Sequence, residues 1–226
     1  MDAMRTDFEL NRDVMAELAW DPSIRNEDIA LAVHEGVVTL AGVVDSFAQR
    51  TAAERAVQRV KGVKALANDL TVKLPSGAER PDPEIAHAAV GALSWNVDVP
   101  RDRIQVKVSK GVVTLTGNVD WEYQRRAAER AVRYLWGVQA LTSLISVRET
   151  PAPSDVQHRI SDALKRQAEV DANQITVETS GHAVTLQGTV RSLAEKRDAE
   201  RAAWSARGVT KVENRLAVEP SPALVL

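Results

Sequence analysis

Apolar residues recur along this chain with two alternating periods, and the alternation runs through three times. Leu10, Val14 and Leu18 are spaced by four, which lays one apolar stripe along a helix. Ile85, Ala89 and Leu93 repeat the stripe, as do Val156, Ile160 and Leu164. Asp21-Pro22 ends the first helix, since proline disfavours helical backbone at the residue before it. Two runs of period two follow, Ile29, Leu31 and Val33, then Val38 and Leu40. That period predicts strands with one buried face. The connection carries Glu35-Gly36, Lys110-Gly111 or Gly181-His182, which suits a tight hairpin turn needing positive φ. In the third case the glycine comes one place earlier, and a different primed turn accommodates it.

Gly42, Gly117 and Gly188 fall on the inward parity of the second strand. A missing side chain there is expected to let a helix approach the sheet closely. A second helix spans about residues 46–60, with Ala53, Ala56, Val57 and Val60 on its buried face. Gly62, Gly137 and Gly208 stand where a helix C-cap glycine belongs. A third strand ends at Val72, Val147 and Val218. The predicted unit is αββαβ, of the α+β class, with two helices on one face of a three-stranded sheet.

The repetition is also literal. Residues 36–72 and 111–147 align without a gap at an offset of 75 and share 21 of 37 positions. Residues 182–218 share 13 of 37 with the middle segment, at an offset of 71. Self-similarity at a fixed period marks tandem copies of one folding unit. The expected domains are residues 1–74, 83–149 and 153–219, with a mobile tail at 220–226. The joints, LPSGAERPDP and ETPAPS, have the proline-rich composition of linkers.

Composition narrows the chemistry. The chain has 226 residues, no cysteine and a net charge of -2, so disulfides and thiolate metal sites are excluded. The three copies carry net charges of about -3, +1 and 0, none of them a basic footprint for nucleic acid. No GxxG loop or paired strand aromatics suggest RNA binding. The Walker loop, the nucleophile elbow and the HExxH pair are absent, so an enzyme is not expected. His34 and His182 sit at hairpins, and His87 and His158 occupy one position on the first helices. They read as surface histidines, and no metal or cofactor is predicted. No apolar run is long enough to cross a membrane. Asp2, Asp7, Glu9 and Asp13 break any apolar leader, so a cytoplasmic location is expected.

The unit resembles the BON domain, named for bacterial osmotically inducible and nodulation proteins. The residues that carry the resemblance are Asp21-Pro22, the run Gly36-Val37-Val38-Thr39-Leu40 with Gly42 and Val44, the helix segment Ala53-Glu54-Arg55-Ala56, and Gly62-Val63 leading to Leu70 and Val72. The resemblance covers nearly the whole chain and implies the same αββαβ fold, with a mixed sheet. It implies a non-catalytic module that binds phospholipid surfaces or other ligands, often in envelope stress proteins. A periplasmic setting is the family's alternative location. The leading expectation is a stress-related module contacting anionic phospholipid. The alternatives are a protein scaffold or self-associating module, or a sensor of a small ligand or ion.

Differences between copies point to candidate contacts. Five of the nine aromatics, Trp95, Trp121, Tyr123, Tyr134 and Trp136, lie in the middle copy. Several replace Arg, Lys or Ser in the other copies, which suggests solvent-facing positions. Arg126, Arg130 and Arg133 are expected beside Tyr123 and Tyr134 on the exposed face of the second helix. Tyrosine next to arginine suits an anionic headgroup or an acidic protein patch. Packing between copies is the other reading of these aromatics. Trp20 and Trp95 share one position at the end of the first helix. They are read either as a lid over the edge of the core, the preferred reading, or as a lipid contact. The candidate set is thus Trp20, Trp95, Tyr123, Arg126, Arg130, Arg133, Tyr134 and Trp136.

Overall fold

The computed structural model describes residues 5–148, 155–166 and 174–219. The second joint and the tail at 220–226 lie outside them, with the expectations placed there. Each copy has the same five elements. Copy one runs α1 (Asp7–Trp20), β1 (Ile29–His34), β2 (Val37–Val44), α2 (Phe47–Arg59) and β3 (Ala65–Val72). Copy two runs α3 (Asp82–Trp95), β4 (Ile104–Ser109), β5 (Val112–Val119), α4 (Glu122–Arg133) and β6 (Ala140–Val147). Copy three runs α5 (Val156–Arg166), β7 (Ile175–Ser180), β8 (Ala183–Val190), α6 (Leu193–Trp204) and β9 (Lys211–Val218). The three sheets have the orders β1-β2-β3, β4-β5-β6 and β7-β8-β9. The hairpin pair is antiparallel in each, while β5 with β6 and β8 with β9 pair in parallel. The intervening helix is what allows that parallel return.

The predicted stripes form the cores. Ile85, Ala89 and Leu93 of α3 meet Val113, Leu115 and Val119 of β5 and Ala127, Ala128 and Val132 of α4 in one buried cluster. Val156, Ile160 and Leu164 form the same cluster in copy three with Val184, Leu186 and Val190. In copy one Leu10, Val14, Leu18, Ala53, Ala56, Val57 and Val60 are likewise buried. Among the described residues, packing groups those of 43–51 and 71–150 as one unit and those of 1–42, 52–70 and 151–226 as another. Within the first of these, Phe47 packs against the core of copy two. Within the second, the Gly62 N–H donates to the Arg191 carbonyl at 3.1 Å, and Arg197 Nη1 donates to Gln58 Oε1 at 2.5 Å. Repeats therefore do pack on one another.

The hairpins are held from the first helix. Glu35 and Gly36 have φ of 50° and 80°, and Lys110 and Gly111 have 51° and 72°, as a two-residue primed turn requires. The Asp7 carboxylate accepts the N–H groups of Glu35 and Gly36 at 2.8 and 3.0 Å. Asp82 does the same for Lys110 and Gly111 at 2.8 and 2.9 Å. In copy three only Gly181 of the turn has positive φ, at 58°, as a turn with glycine first needs. There His182 Nδ1 instead bonds the Gly208 carbonyl at 2.8 Å.

The N–H donors of Glu35 and then Gly36 hold the Asp7 carboxyl below its ordinary value of 3.8. A folded-state pKa below the unfolded one adds stability that is complete above 3.8. That stability is lost as pH falls through the folded value. Asp7→Asn should therefore melt below the wild type at pH 6, and the gap should close on acidification below the unfolded value. Thermal melts of both proteins across that range check it, and a gap independent of pH would refute the clamp.

One expectation needs a different cause. A Cβ on Gly42, Gly117 or Gly188 would lie 2.0, 2.0 or 1.9 Å from the carbonyl oxygen of Asp28, Arg103 or Gln174. The close neighbour is the backbone entering the paired strand, not a helix. All three glycines also have φ between 123° and 136°, which L residues rarely adopt.

Candidate binding surfaces

The end of the first helix is built to throw two side chains outward. In copy two, Asn96 caps α3 by donating its N–H to Leu93 O at 3.3 Å. Its Oδ1 accepts the Asp98 N–H at 3.0 Å, and the Val99 N–H donates to Asn96 O at 3.1 Å. This side-chain-closed turn reverses the chain. Val99 drops into the core, while Trp95 and Val97 stand 89% and 98% exposed. Val90 is exposed on the same helix. A cleft of about 520 Å³ lies there, lined by Val90, Leu93, Trp95, Val99, Arg101 and Ile104 among others.

Copy one repeats the device. Asp21 Oδ1 accepts from the N–H and hydroxyl of Ser23 at 3.0 and 2.6 Å, and the Ile24 N–H donates to Asp21 O at 3.0 Å. The Ser23 hydroxyl, followed by its N–H, holds the Asp21 carboxyl below its usual range. Ile24 is buried and Trp20 is 83% exposed. The turn, rather than Pro22 alone, ends the helix, because copy two has Val97 at that place and still turns. Trp20 and Trp95 are not lids over the core. The turn seats Ile24 or Val99 there, and the tryptophan projects into solvent.

The remaining candidates form no single strip. Glu122 is buried, and its Oε1 accepts from Arg125 Nη2 at 2.8 Å and Arg126 Nε at 3.0 Å. Arg126 is therefore half-buried and engaged, while Tyr123 and Arg130 are exposed. Tyr134 caps the far end of α4, about 16 Å along the axis from Tyr123. Arg133 is half-buried, and its Nε has no hydrogen-bond partner among the described residues. Arg133, Tyr134 and Trp136 line a smaller cavity of about 260 Å³ with Phe47, Leu74 and others.

A Cβ on Gly137 would touch Ile85 and Arg80, so the start of α3 lies beside the end of α4. Trp95 ends the 14-residue α3 about 21 Å away. The structure thus brings Arg133, Tyr134 and Trp136 together and keeps Trp95 apart from them.

Trp121 is also not a plain surface position. Its counterparts Ser46 and Ser192 are helix N-caps that accept the N–H of Gln49 and of Glu195, each at 3.1 Å. The Trp121 side chain has no acceptor oxygen, so the Gln124 N–H donates to the Trp121 carbonyl at 3.1 Å instead, while Gln124 Oε1 takes the N–H groups of Asp120 and Trp121 at 3.0 Å. Sequence reasoning missed Val90, Val97 and Arg101 at the tip, and Phe47 between copies. Val97 could have been found, because it follows the helix end in a place where copy one has Pro22.

No group of three or more His, Cys, Asp or Glu suited to a metal occurs among the described residues. No helix among them is long and apolar enough to cross a membrane.

Comparison with known proteins places this architecture. The chain is 29% identical over 139 residues to osmotically-inducible protein Y of Escherichia coli (strain K12), covering 60% of this chain and 69% of that protein. Two solved structures of CdsD, a structural protein of the type III secretion system of Chlamydia trachomatis, also align. The first, its C-terminal domain, is 14% identical, with 96% of this chain and 100% of that one covered at a TM-score of 0.27. The second is 15% identical, with 94% and 93% covered at the same TM-score of 0.27. The BON domain itself matches three times, over residues 6–73, 81–149 and 154–220, so the chain belongs to the BON domain family as a tandem of three copies.

Proposed function

We propose that this protein is a non-catalytic, stress-related binding module that docks on anionic phospholipid surfaces. One observation carries the reading. The turn after α3 holds Trp95 and Val97 almost wholly in solvent, with Val90 on the helix behind them. Soluble proteins seldom leave neighbouring large apolar groups so open without a use for them. Tryptophan favours the boundary between headgroups and acyl chains. Burying two such side chains supplies about 1.5–3 kcal/mol each. Arg101 beside them lines the same cleft and can hold a lipid phosphate. Trp20 on the equivalent turn of copy one offers a second apolar contact. Membership of the BON family and the relation to an osmotically inducible protein support the stress setting.

Flotation with phosphatidylglycerol vesicles, against phosphatidylcholine vesicles, tests this at low salt. Trp95→Ala combined with Val97→Ser should lower the partition coefficient at least tenfold without lowering the melting temperature. Arg101→Ala should lose most of the preference for the anionic vesicles. Trp95 supplies an optical check, because the emission should shift to the blue on binding, and the shift should shrink in Trp95→Phe to what Trp20 contributes. Equal flotation of wild type and the double variant would refute the tip as the docking site.

A further inference from the structure

β6 is an edge strand, and among the described residues no other strand of its sheet lies on its outer side. Such an edge presents unpaired backbone N–H and C=O groups and invites another strand unless charges, proline or a bulge protect it. The three copies treat this edge differently. Leu144 of β6 corresponds to Asp69 of β3 and to Arg215 of β9, and all three are exposed. β9 carries three charged residues, Lys211, Glu213 and Arg215, along its open face. β6 reads ALTSLISV, with no charge and no proline. The guard present in the other two copies is replaced by a leucine that is 62% exposed.

We propose that the protein self-associates through this edge, β6 of one molecule pairing antiparallel with β6 of a second copy about a two-fold axis at Leu144. In β6, Thr142, Leu144 and Ser146 are exposed on the open face, and Ile145 is buried on the helix side. Residues directly opposite in an antiparallel pair share a face, so the axis must pass through a residue position. An axis at Leu144 sets Leu144 against its own copy, Thr142 against Ser146 and Leu141 against Val147. Apolar groups meet apolar groups and hydroxyls meet hydroxyls, with Ser143 and Ile145 the one mixed pair. A residue on a two-fold meets itself, so the same pairing at β3 or β9 would oppose Asp69 to Asp69 or Arg215 to Arg215. Of these three corresponding edges, β6 alone is free of that repulsion, which is why the partner is another β6. The result is a continuous six-stranded sheet, β4-β5-β6-β6-β5-β4.

One strand pair of about 27 Å is a small interface, so the dimer is weak and exchanges rapidly. This inference is independent of the lipid reading, because Leu144 is not part of the Trp95 tip. Sedimentation velocity on the full chain, from roughly 5 to 500 μM, should show monomer passing to dimer. Leu144→Asp and Leu144→Arg, which borrow the residue types of the other two copies, should each weaken dimerisation at least tenfold. Mixing the two variants should restore it, since a carboxylate then faces a guanidinium across the axis. Hydrogen exchange should show amides 140–147 gaining protection with concentration in the wild type only. A monomer throughout the range, a dimer indifferent to either variant, or a mixture that fails to recover would each overturn the proposal.

Discussion

Gly117→Ala is expected to destabilise copy two by about 4 kcal/mol, near the upper end for a single substitution. The added Cβ would lie 2.0 Å from the Arg103 carbonyl oxygen, a backbone atom that cannot swing aside as a side-chain tip can. Relief requires moving the start of β4, which pairs Ile104 directly with Gly117. The φ of 136° adds backbone strain of its own. The same chemical change at Gly91 should act in the opposite direction. Gly91 lies within α3, and nothing stands within 4 Å of where its Cβ would be. Alanine there should gain about 0.5–1 kcal/mol from helix propensity. Urea melts of the two variants beside the wild type decide the matter. Equal effects at both sites would mean that the contact with Arg103 is not what fixes the glycine.

This pair of glycines also marks how far the sequence could be read. The inward parity of Gly117 in V-T-L-x-G-x-V is visible from period two alone. What excludes a side chain there is not visible, because periodicity gives the direction of a position and not the atom facing it. Leu10, Val14 and Leu18 were legible as a core stripe, since apolar burial is the physics that spacing encodes. For Trp20 and Trp95 the sequence leaves two readings open, a lid over the core edge and an exposed lipid contact, and favours the first. Their fate depends on an Asx-type turn at Asp21 and Asn96, which spends the next apolar residue, Ile24 or Val99, on the core. Trp121 shows the same limit from another side. Its counterparts Ser46 and Ser192 look like surface serines until their hydroxyls are seen capping α2 and α6. Phe47 was silent because contacts between copies leave no period in the sequence.

Leu115→Ala should cost about 2–5 kcal/mol, because the leucine is fully buried between α3, α4 and the sheet and its removal leaves a cavity. A unit of this size has only about 3–10 kcal/mol in hand, so the loss consumes most of it. Calorimetry should then show a separate transition for copy two, displaced downward by about 10–25 °C. The consequence for binding follows from the core. Leu93, two residues before Trp95, packs in the same cluster as Leu115, so α3 holds the Trp95–Val97 tip in place only while that cluster is intact. Vesicle flotation by Leu115→Ala should therefore match the wild type well below its first transition and collapse through it. The Trp95→Ala, Val97→Ser variant should behave in the reverse way, losing flotation at every temperature while melting with the wild type. If Leu115→Ala instead lost flotation while copy two was still folded, the docking surface would have to include the sheet and not the helix end alone.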